Sequence, residues 1–300
     1  MALVNPVTLE KGLRADFMKA YNNGEDPQDV IPMILKTSSS SNSEKYGWLG
    51  QAPQMVEWKD ERRLKGLRDF SYTLENKDYE STIEVARNTI EDDQMGSTRV
   101  RIQDLARIAR AHPRKLFFDA LNAGETELAY DGQAFFSASH SEGDSGTQSN
   151  LNSSGSGTTV AQIKTDLDAA IAVMRNYLDD RGEIFYDGER DWYILAPPAL
   201  EGNMRELLNA SIISNTTNTY KGIAKLITSG RLTDANDWYL FDASAGVKPF
   251  IWQERRGPMF ASQEANSSNG FMRKNYYYGI DVRRAFGYGL WQKAYKIKNS

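Results

Sequence analysis

The sequence predicts a mixed α+β fold, and three observations carry that prediction. Apolar residues recur at helical spacing in two long segments, 97–123 and 159–180. Two shorter segments, 70–74 and 79–85, alternate apolar and polar residues with period two. The C-terminal stretch "FMRKNYYYGIDVRRAFGYGLWQKAYKI" is long, aromatic and β-prone. With 300 residues, 40% hydrophobic and 11% aromatic, the chain can build one large or two medium domains.

Taken in order, the first element is a helix over 8–22. Leu9, Leu13, Phe17 and Tyr21 share one face behind a Thr8 cap, and Asn22, Asn23 and Gly24 end it. The next stretch, "EDPQDVIPMILKTSSSSNSE", is extended and polar, and Pro27 and Pro32 exclude a long helix. An opening so poor in apolar pattern reads as an arm that lies on another surface. Phe70, Tyr72 and Leu74 then alternate ahead of the polar turn Glu75–Asp78, and Tyr79, Ile83 and Val85 alternate after it, which predicts a β-hairpin. Its approach is basic (Lys59, Arg62, Arg63, Lys65, Arg68) and its return acidic (Glu80, Glu84, Glu91, Asp92, Asp93). A two-stranded hairpin is marginal in water, so it needs a partner surface in the same chain or a neighbour.

The helix over 97–123 is capped by Ser97 or Thr98, turns Val100, Leu105 and Ile108 to one side and stops at Gly124. Pro113 removes a backbone donor inside it, which predicts a kink or break at His112. Arg99, Arg101, Arg107, Arg110, Arg114 and Lys115 give this helix a basic surface, turned to nucleic acid or to solvent. In "YDGQAFFSASH" a turn at Asp131-Gly132, anchors at Phe135 and Phe136, and a His140 bonded to backbone are expected. The Ser/Gly run that follows, up to Thr159, holds nothing whose burial would offset ordering entropy, so a surface or mobile loop is expected. Val160, Ile163, Leu167, Ile171, Met174 and Leu178 form the stripe of an amphipathic helix from 159 to 180, with Gly182 as its C-cap. "DWYILAPP" reads as a buried strand whose prolines open a short helix through Leu200, Met204, Leu207 and Leu208. In the tail, Tyr278, Ile280 and Val282 alternate. No internal repeat is evident.

Charge is partitioned along the chain. Residues 97–123 carry six Lys/Arg against two acids, residues 124–247 eight against eighteen, and the last 53 residues ten against three. An acidic module is therefore set between two basic segments. The absence of cysteine excludes disulfides, thiolate metal ligands and thiol nucleophiles. No apolar run is long enough to span a bilayer, and the N-terminal residues lack a secretory signal pattern.

Catalytic signatures are missing as well. No phosphate loop, dinucleotide fingerprint, H-E-x-x-H or nucleophile elbow occurs. The acidic group at 90–93 reads as a salt-bridged turn rather than a metal site. A Ser–His–Asp set can be drawn from His140, Asp131 and Ser137, Ser139 or Ser141, but neighbours in sequence are not how such triads are built. No enzyme, cofactor or metal is expected.

Five stretches, "EKYGWLGQAPQMVEW", "NKDYESTIEVARNTIEDD", "AHPRKLFFDAL", "YDGQAFFSASH" and "DWYILAPPALEGNMRELL", occur in an order that closely resembles the major head subunit of Mu-like phages and prophages. One departure is "WKDER", where a glycine is expected before Glu61. The resemblance implies the HK97 phage major capsid fold. It implies an N-terminal arm at 1–45, an E-loop hairpin at 46–93, a peripheral (P) domain at 94–126 and 249–300 with its spine helix at 97–123, and an axial (A) domain at 127–248. It also implies assembly through hexamers and pentamers into an icosahedral head around packaged double-stranded DNA, bound without sequence preference. Portal, scaffold or protease and decoration proteins are the other expected partners, with no membrane. The protein would reside in the virion, made and assembled in the host bacterial cytoplasm.

Candidate inter-subunit contacts of the E-loop are Trp58, Arg62, Arg63, Arg68, Phe70 and Tyr72, because aromatic and arginine anchors dominate interfaces. Glu80, Glu84, Asp92 and Asp93 are their candidate ion-pair partners, and Arg107, Arg110, Arg114 and Lys115 are candidates to face DNA. Lys59 or Lys65 would serve a covalent cross-link, for which no motif is present. The rival readings are a capsid-fold shell of a gene-transfer particle or cellular nanocompartment, a hydrolase using His140 and Asp131, and a serine-rich adhesin.

Overall fold

The structure, a computed structural model, describes residues 6–24, 29–47, 72–91, 95–213, 215–263 and 272–299. Helix α1 (Pro6–Asn23) leads to strands β1 (Ile34–Ser38), β2 (Ser43–Tyr46), β3 (Tyr72–Glu75) and β4 (Lys77–Ala86). A short α2 (Arg87–Glu91) precedes the long α3 (Met95–Ala123). Then come β5 (His140–Ser141), β6 (Thr147–Gln148), β7 (Leu151–Asn152) and α4 (Val160–Arg175). They are followed by β8 (Trp192–Ala196), α5 (Glu201–Asn209), β9 (Ile212–Ile213), β10 (Thr216–Thr217), β11 (Lys225–Thr228) and β12 (Trp238–Asp242). The chain closes with β13 (Phe250–Gln263), β14 (Asn275–Tyr288) and β15 (Ala294–Ile297).

Two sheets organise these elements. The first runs β1-β13-β14-β4 and the second β11-β8-β12-β15-β7. In the first, Tyr278, Ile280 and Val282 of β14 point inward, as their alternation predicts. Tyr278 and Ile280 pack beneath α3, whose Ile102, Leu105, Ala106 and Ala109 meet Leu13 and Phe17 of α1 in the same cluster. Helix α1 therefore packs on its own chain. In the second sheet β8 and β12 are buried at every position. The stripe of α4 and the inner face of α5 belong to the same core as these strands. Phe117, in α3 beyond Pro113, joins the two halves. Its ring centre lies 4.8 Å from Phe250, 6.3 Å from Phe286 and 6.3 Å from Phe241.

Several expectations are corrected. β3 and β4 are strands but not partners: β3 pairs with β2, and β4 pairs with β14. Alternation marks a half-buried strand without naming its neighbour. The change of sheet is pinned at Asn76, which accepts a hydrogen bond from the buried Gln253 (2.8 Å), while Tyr46 donates to the Gln253 carbonyl (2.6 Å). Helix α3 runs through Pro113 unbroken, because buried Ala109 and Phe117 hold it on either side of the single lost donor. Val100 and Ile108, expected beside Leu105, are 59% and 49% exposed. Helix α4 stops at Arg175, five residues earlier than expected. Gly182 is not its cap but sits at φ 76° in a turn, its amide 3.1 Å from the Asp179 carbonyl.

That turn reveals a repeat. After α3, Leu128 bridges Ala134, Ala129 donates to Gln133 and Gly132 donates to Ala129. After α4, Leu178 bridges Ile184, Asp179 donates to Glu183 and Gly182 donates to Asp179. Two long helices thus end in the same small hairpin, with too few shared residues to show in sequence. The Ser/Gly run is fastened as well. Asn150 is fully buried, Asp166 accepts from both the amide and hydroxyl of Ser156, and Gly155 donates to the Lys298 carbonyl at 2.7 Å. Polar anchoring replaces the apolar burial that the run lacks. Finally, β15 parts from the rest of 249–300 and joins the second sheet between β12 and β7.

Phe117→Ala is expected to lower unfolding free energy by about 3–5 kcal/mol, since it opens a void at the sheet junction. Val100→Ala should stay within about 0.5 kcal/mol of the parent. Urea unfolding of the two variants, measured side by side, checks both.

Candidate assembly surfaces

His140 occupies the position where a catalytic reading would be decided. It is completely buried and stacked on Trp291, ring centres 4.0 Å apart. Its Nδ1 lies 2.6 Å from Asp131 and its Nε2 3.1 Å from the side-chain oxygen of Asn150. Both ring nitrogens are therefore engaged, by side chains rather than by the backbone expected, and neither is left for a serine. Ser137 and Ser139 instead bond to each other at 3.2 Å. Next to this pair, Glu142 accepts from Tyr130 and from Trp291, each at 2.5 Å, and burial pushes its carboxyl above the usual range. The set is a closed polar core that ties the loop to Trp291 and Gln292 near the C-terminus.

The first sheet has a covered side and an open one. Tyr79, Ser81, Ile83 and Val85 of β4 turn inward, and Asp78, Glu80, Thr82 and Glu84 are exposed. Opposite them in register stand Arg283, Asp281, Gly279 and Tyr277 of β14. Arg256 of β13 pairs with Asp281 and, at 3.6 Å, with Asp78, which Arg283 also approaches at 3.8 Å. Among the described residues Glu80 accepts from Thr82 (2.7 Å), and Glu84 from Asn275 and Tyr277. Among the described residues neither glutamate has a cation at ion-pair distance. Both lie on an exposed sheet face.

Of the other candidate contacts, Tyr72 is half-buried, and its hydroxyl accepts from the Tyr288 amide at 3.3 Å, so it serves its own chain. Trp58, Arg62, Arg63, Arg68, Phe70, Asp92 and Asp93 lie outside the described residues, as do Lys59 and Lys65. β2 and β3, on either side of the segment containing Trp58 to Phe70, are paired Ser43 to Glu75 and Tyr46 to Tyr72.

The basic residues of α3 divide into two kinds. Arg114 chelates Asp29 at 3.1 and 2.8 Å, and Arg110 donates to the Ala20 carbonyl at 2.8 Å, so both hold the N-terminal segment down. Arg107 and Lys115 are exposed and pair only with their helix neighbours Asp104 and Asp119. Sequence reasoning did not single out Arg190 and Asp242, a buried pair at 2.6 Å. Nor did it find Lys293, which donates to the Ser244 and Ala245 carbonyls and whose pKa burial pushes down to about 8. These partners stand about fifty residues apart, and no local pattern joins them. Among the described residues no group of acids and histidines is arranged to hold a metal ion.

Comparison with known proteins places the chain. The model of the family described as Mu-like prophage major head subunit gpT matches residues 7–163 and 229–300. The Mu-like prophage FluMu major head subunit of Haemophilus influenzae is 30% identical over 99% of this chain and 75% of its own length. The chain belongs to the Mu-like prophage major head subunit family. The major capsid protein of Escherichia phage Mu is a further relative, 27% identical over 95% of this chain and 70% of its length. The procapsid of bacteriophage JBD30 contains a chain with TM-score 0.56 at 26% identity, covering 98% of this chain and 75% of that one. A virus-like particle from Pyrococcus furiosus shares the fold at 9% identity, with TM-score 0.56 over 96% and 98% of the two chains. The fold is thus HK97-like, and the protein is a major capsid protein of a Mu-like phage head, a structural rather than an enzymatic family. It assembles with copies of itself into a capsid shell. The family match favours a phage head over a nanocompartment or gene-transfer particle, whose subunits share only the fold.

Helix α3 of this head subunit also holds a titratable imidazole. His112 of α3 lies edge-on to Tyr79, ring centres 4.5 Å apart, and burial, with Arg284 and Lys115 nearby, pushes its pKa from 6.5 down to about 4. Because the folded state disfavours the proton, this contribution to stability is complete above pH 6.5 and lost as pH falls toward 4. His112→Gln should therefore lose less stability than the parent between pH 7 and pH 4.5. Urea midpoints at the two pH values read the difference.

Proposed function

We propose that copies of this chain form hexamers and pentamers that close into an icosahedral shell around the packaged double-stranded DNA of a Mu-like tailed phage. In this reading residues 1–45 are the N-terminal arm, 46–93 the E-loop, 94–126 with 249–300 the P domain, and 127–248 the A domain. The strand Ala294–Ile297, paired in the second sheet, packs with the A domain. The spine helix is α3. The paired β2 and β3 form the base of the E-loop.

One observation carries the assembly reading: the open, acidic face of the first sheet, where Glu80 and Glu84 are exposed and, among the described residues, have no cation at ion-pair distance. The segment from Lys59 to Arg68 supplies five cations against Asp60 and Glu61. A β2–β3 ribbon reaching from one subunit would bring Arg62, Arg63 and Arg68 to the neighbour's Glu80 and Glu84, with Trp58 and Phe70 as apolar anchors. In sequence, Asp92 and Asp93 add to the acids that follow β4. Such a contact joins unlike patches, so it propagates around a ring and between rings until the shell closes. Each exposed pair contributes at most about 1 kcal/mol, and repetition over many subunits supplies the strength.

Arg107 and Lys115 are, with Arg99 and Arg101, exposed cations of the spine, and in this reading Arg107 and Lys115 meet DNA phosphates, without sequence preference and with strong salt dependence. Portal, scaffold or protease and decoration proteins are further partners of a shell of this kind. Assembly takes place in the host bacterial cytoplasm and ends in the virion. Among the described residues no helix is long and apolar enough to cross a membrane.

The test is charge reversal on the open face. Purified wild-type chain should give rings or closed shells by light scattering and negative-stain microscopy, with its scaffold supplied if needed. Glu80→Lys with Glu84→Lys should leave thermal unfolding unchanged but yield unassembled subunits. Shells formed normally by the double variant would remove this face from the assembly contacts. A wild-type chain that stays monomeric with its scaffold would sink the shell reading itself.

A further inference from the structure

Toward its C-terminus the chain passes twice between the two sheets, and these crossings run side by side. The first leads from β12 to β13 through residues 243–249, the second from β14 to β15 through 289–293. Gly289 donates to the Pro249 carbonyl at 2.8 Å and Leu290 to the Lys248 carbonyl at 3.2 Å. The approach is so close that a Cβ at Gly289 would lie 2.1 Å from the Lys248 carbonyl oxygen. Each crossing brings a lysine to the turn at 243–246. Lys293 is buried and donates to the Ser244 carbonyl and hydroxyl, both at 3.1 Å, and to the Ala245 carbonyl at 3.0 Å. Lys248 donates to the Ala243 and Ser244 carbonyls at 2.5 and 2.8 Å. Two amines from different crossings therefore converge on one carbonyl oxygen.

The charges around them are unequal. Asp242 is completely buried, takes Arg190 at 2.6 Å and accepts from the Ser244 amide at 2.9 Å. Arg190 lies over the Tyr186 ring at 4.8 Å, and Lys293 approaches the same ring at 5.6 Å. The next acid, Asp191, is half-exposed and pairs with Lys225 at 2.9 Å. Arg190, Lys248 and Lys293 thus face a single buried carboxylate. Burial and neighbouring cations both penalise the charged form of an amine. Burial, helped by Lys248 and Arg190 and opposed by Asp242, accordingly pushes Lys293 from 10.5 down to about 8, and burial lowers Lys248 as well. The partners of Lys293 also suit the neutral amine. Its two hydrogens would meet the Ser244 and Ala245 carbonyls, and its lone pair the Ser244 hydroxyl.

A docked Lys293 holds its proton less tightly than one released to water, so a proton favours release. The stabilising contribution is complete above pH 10.5 and is lost as pH falls through about 8. Glu142 holds the same return through Trp291 and Gln292 but acts with the opposite sign, since burial raises its carboxyl and its contribution fades as pH rises. Ala245 and Gly246 are exposed, which gives solvent a route to the turn. We propose that Lys293 is a proton-operated latch on the C-terminal return, loose when its ammonium is formed and fast when the amine is neutral. The latch is made of this chain's own crossings and does not depend on the assembly reading.

The test is amide hydrogen exchange of the full chain at pH 7 and pH 9, read by mass spectrometry and corrected for the intrinsic pH dependence of exchange. In wild type, residues 243–249 and 289–297 should open about ten-fold less often at pH 9 than at pH 7, while β8 stays unchanged. Lys293→Met should bring that ratio to about one. Lys248→Met removes the neighbouring cation and should shrink the ratio, which keeps the test open if Lys293→Met does not fold. Equal opening at the two pH values in wild type overturns the latch. So does the full ratio persisting in Lys293→Met or in Lys248→Met. A ratio shared by β8 overturns it too, because it would mark opening of the whole chain rather than of the return.

Discussion

The aromatic junction around Phe117 is the constraint on which the remaining geometry depends. Most of α3 lies along the first sheet, but beyond Pro113 it drives Phe117 and Phe118 into the core shared with the second. Phe250 begins β13, Phe241 lies near the end of β12, Phe286 stands in β14, and Phe135 stacks on Tyr288 at 4.5 Å. Large rigid rings packed at this density cannot slide without opening voids. The two sheets are therefore held at one angle. A shell subunit needs that rigidity, because contacts repeated around a ring close only when every copy presents its patches in the same relative positions.

The second constraint is the return of the C-terminus. Trp291 and Gln292 enter the polar core of Tyr130, Glu142, His140 and Asn150, while Lys296 bonds Glu125 and Asp237 at 2.5 and 3.0 Å. Residues that would serve as acid, base and nucleophile in an enzyme are here satisfied by one another. Full satisfaction of buried polar groups makes the loop as firm as an apolar core would. The Ser/Gly run uses the same device through Asn150, Ser156 and Asp166.

Much of the proposed assembly surface is a matter of sequence pattern. Glu80 and Glu84 fall on one face because a strand repeats every two residues, and Tyr278, Ile280 and Val282 fall on the other side of the sheet for the same reason. The basic stretch from Lys59 to Arg68 is a matter of composition. What could not be read was which residues had been claimed by their own chain. Tyr72 looks like an interface aromatic until Tyr288 is beside it. Arg110 and Arg114 look DNA-facing until Ala20 and Asp29 are seen to hold them. The buried pair Arg190–Asp242 left no trace, because its members are far apart in sequence and each alone is an ordinary surface residue.

The sequence by itself determined the kinds of element, the family and the exposed sign of charge. These follow from local spacing and from residue order, which are properties of the chain before it folds. Only the tertiary structure decided that β3 and β4 serve different partners, that α3 passes through Pro113 intact, and that a serine-rich run is anchored. Each of these is settled by contacts between residues distant in the chain, where packing on both sides outweighs the local preference. The open face of the first sheet belongs to both accounts. Its alternation is written in the sequence, but the exposure of Glu80 and Glu84 is a fact of the fold, since a strand's pattern states that one side is polar and not whether another subunit will meet it.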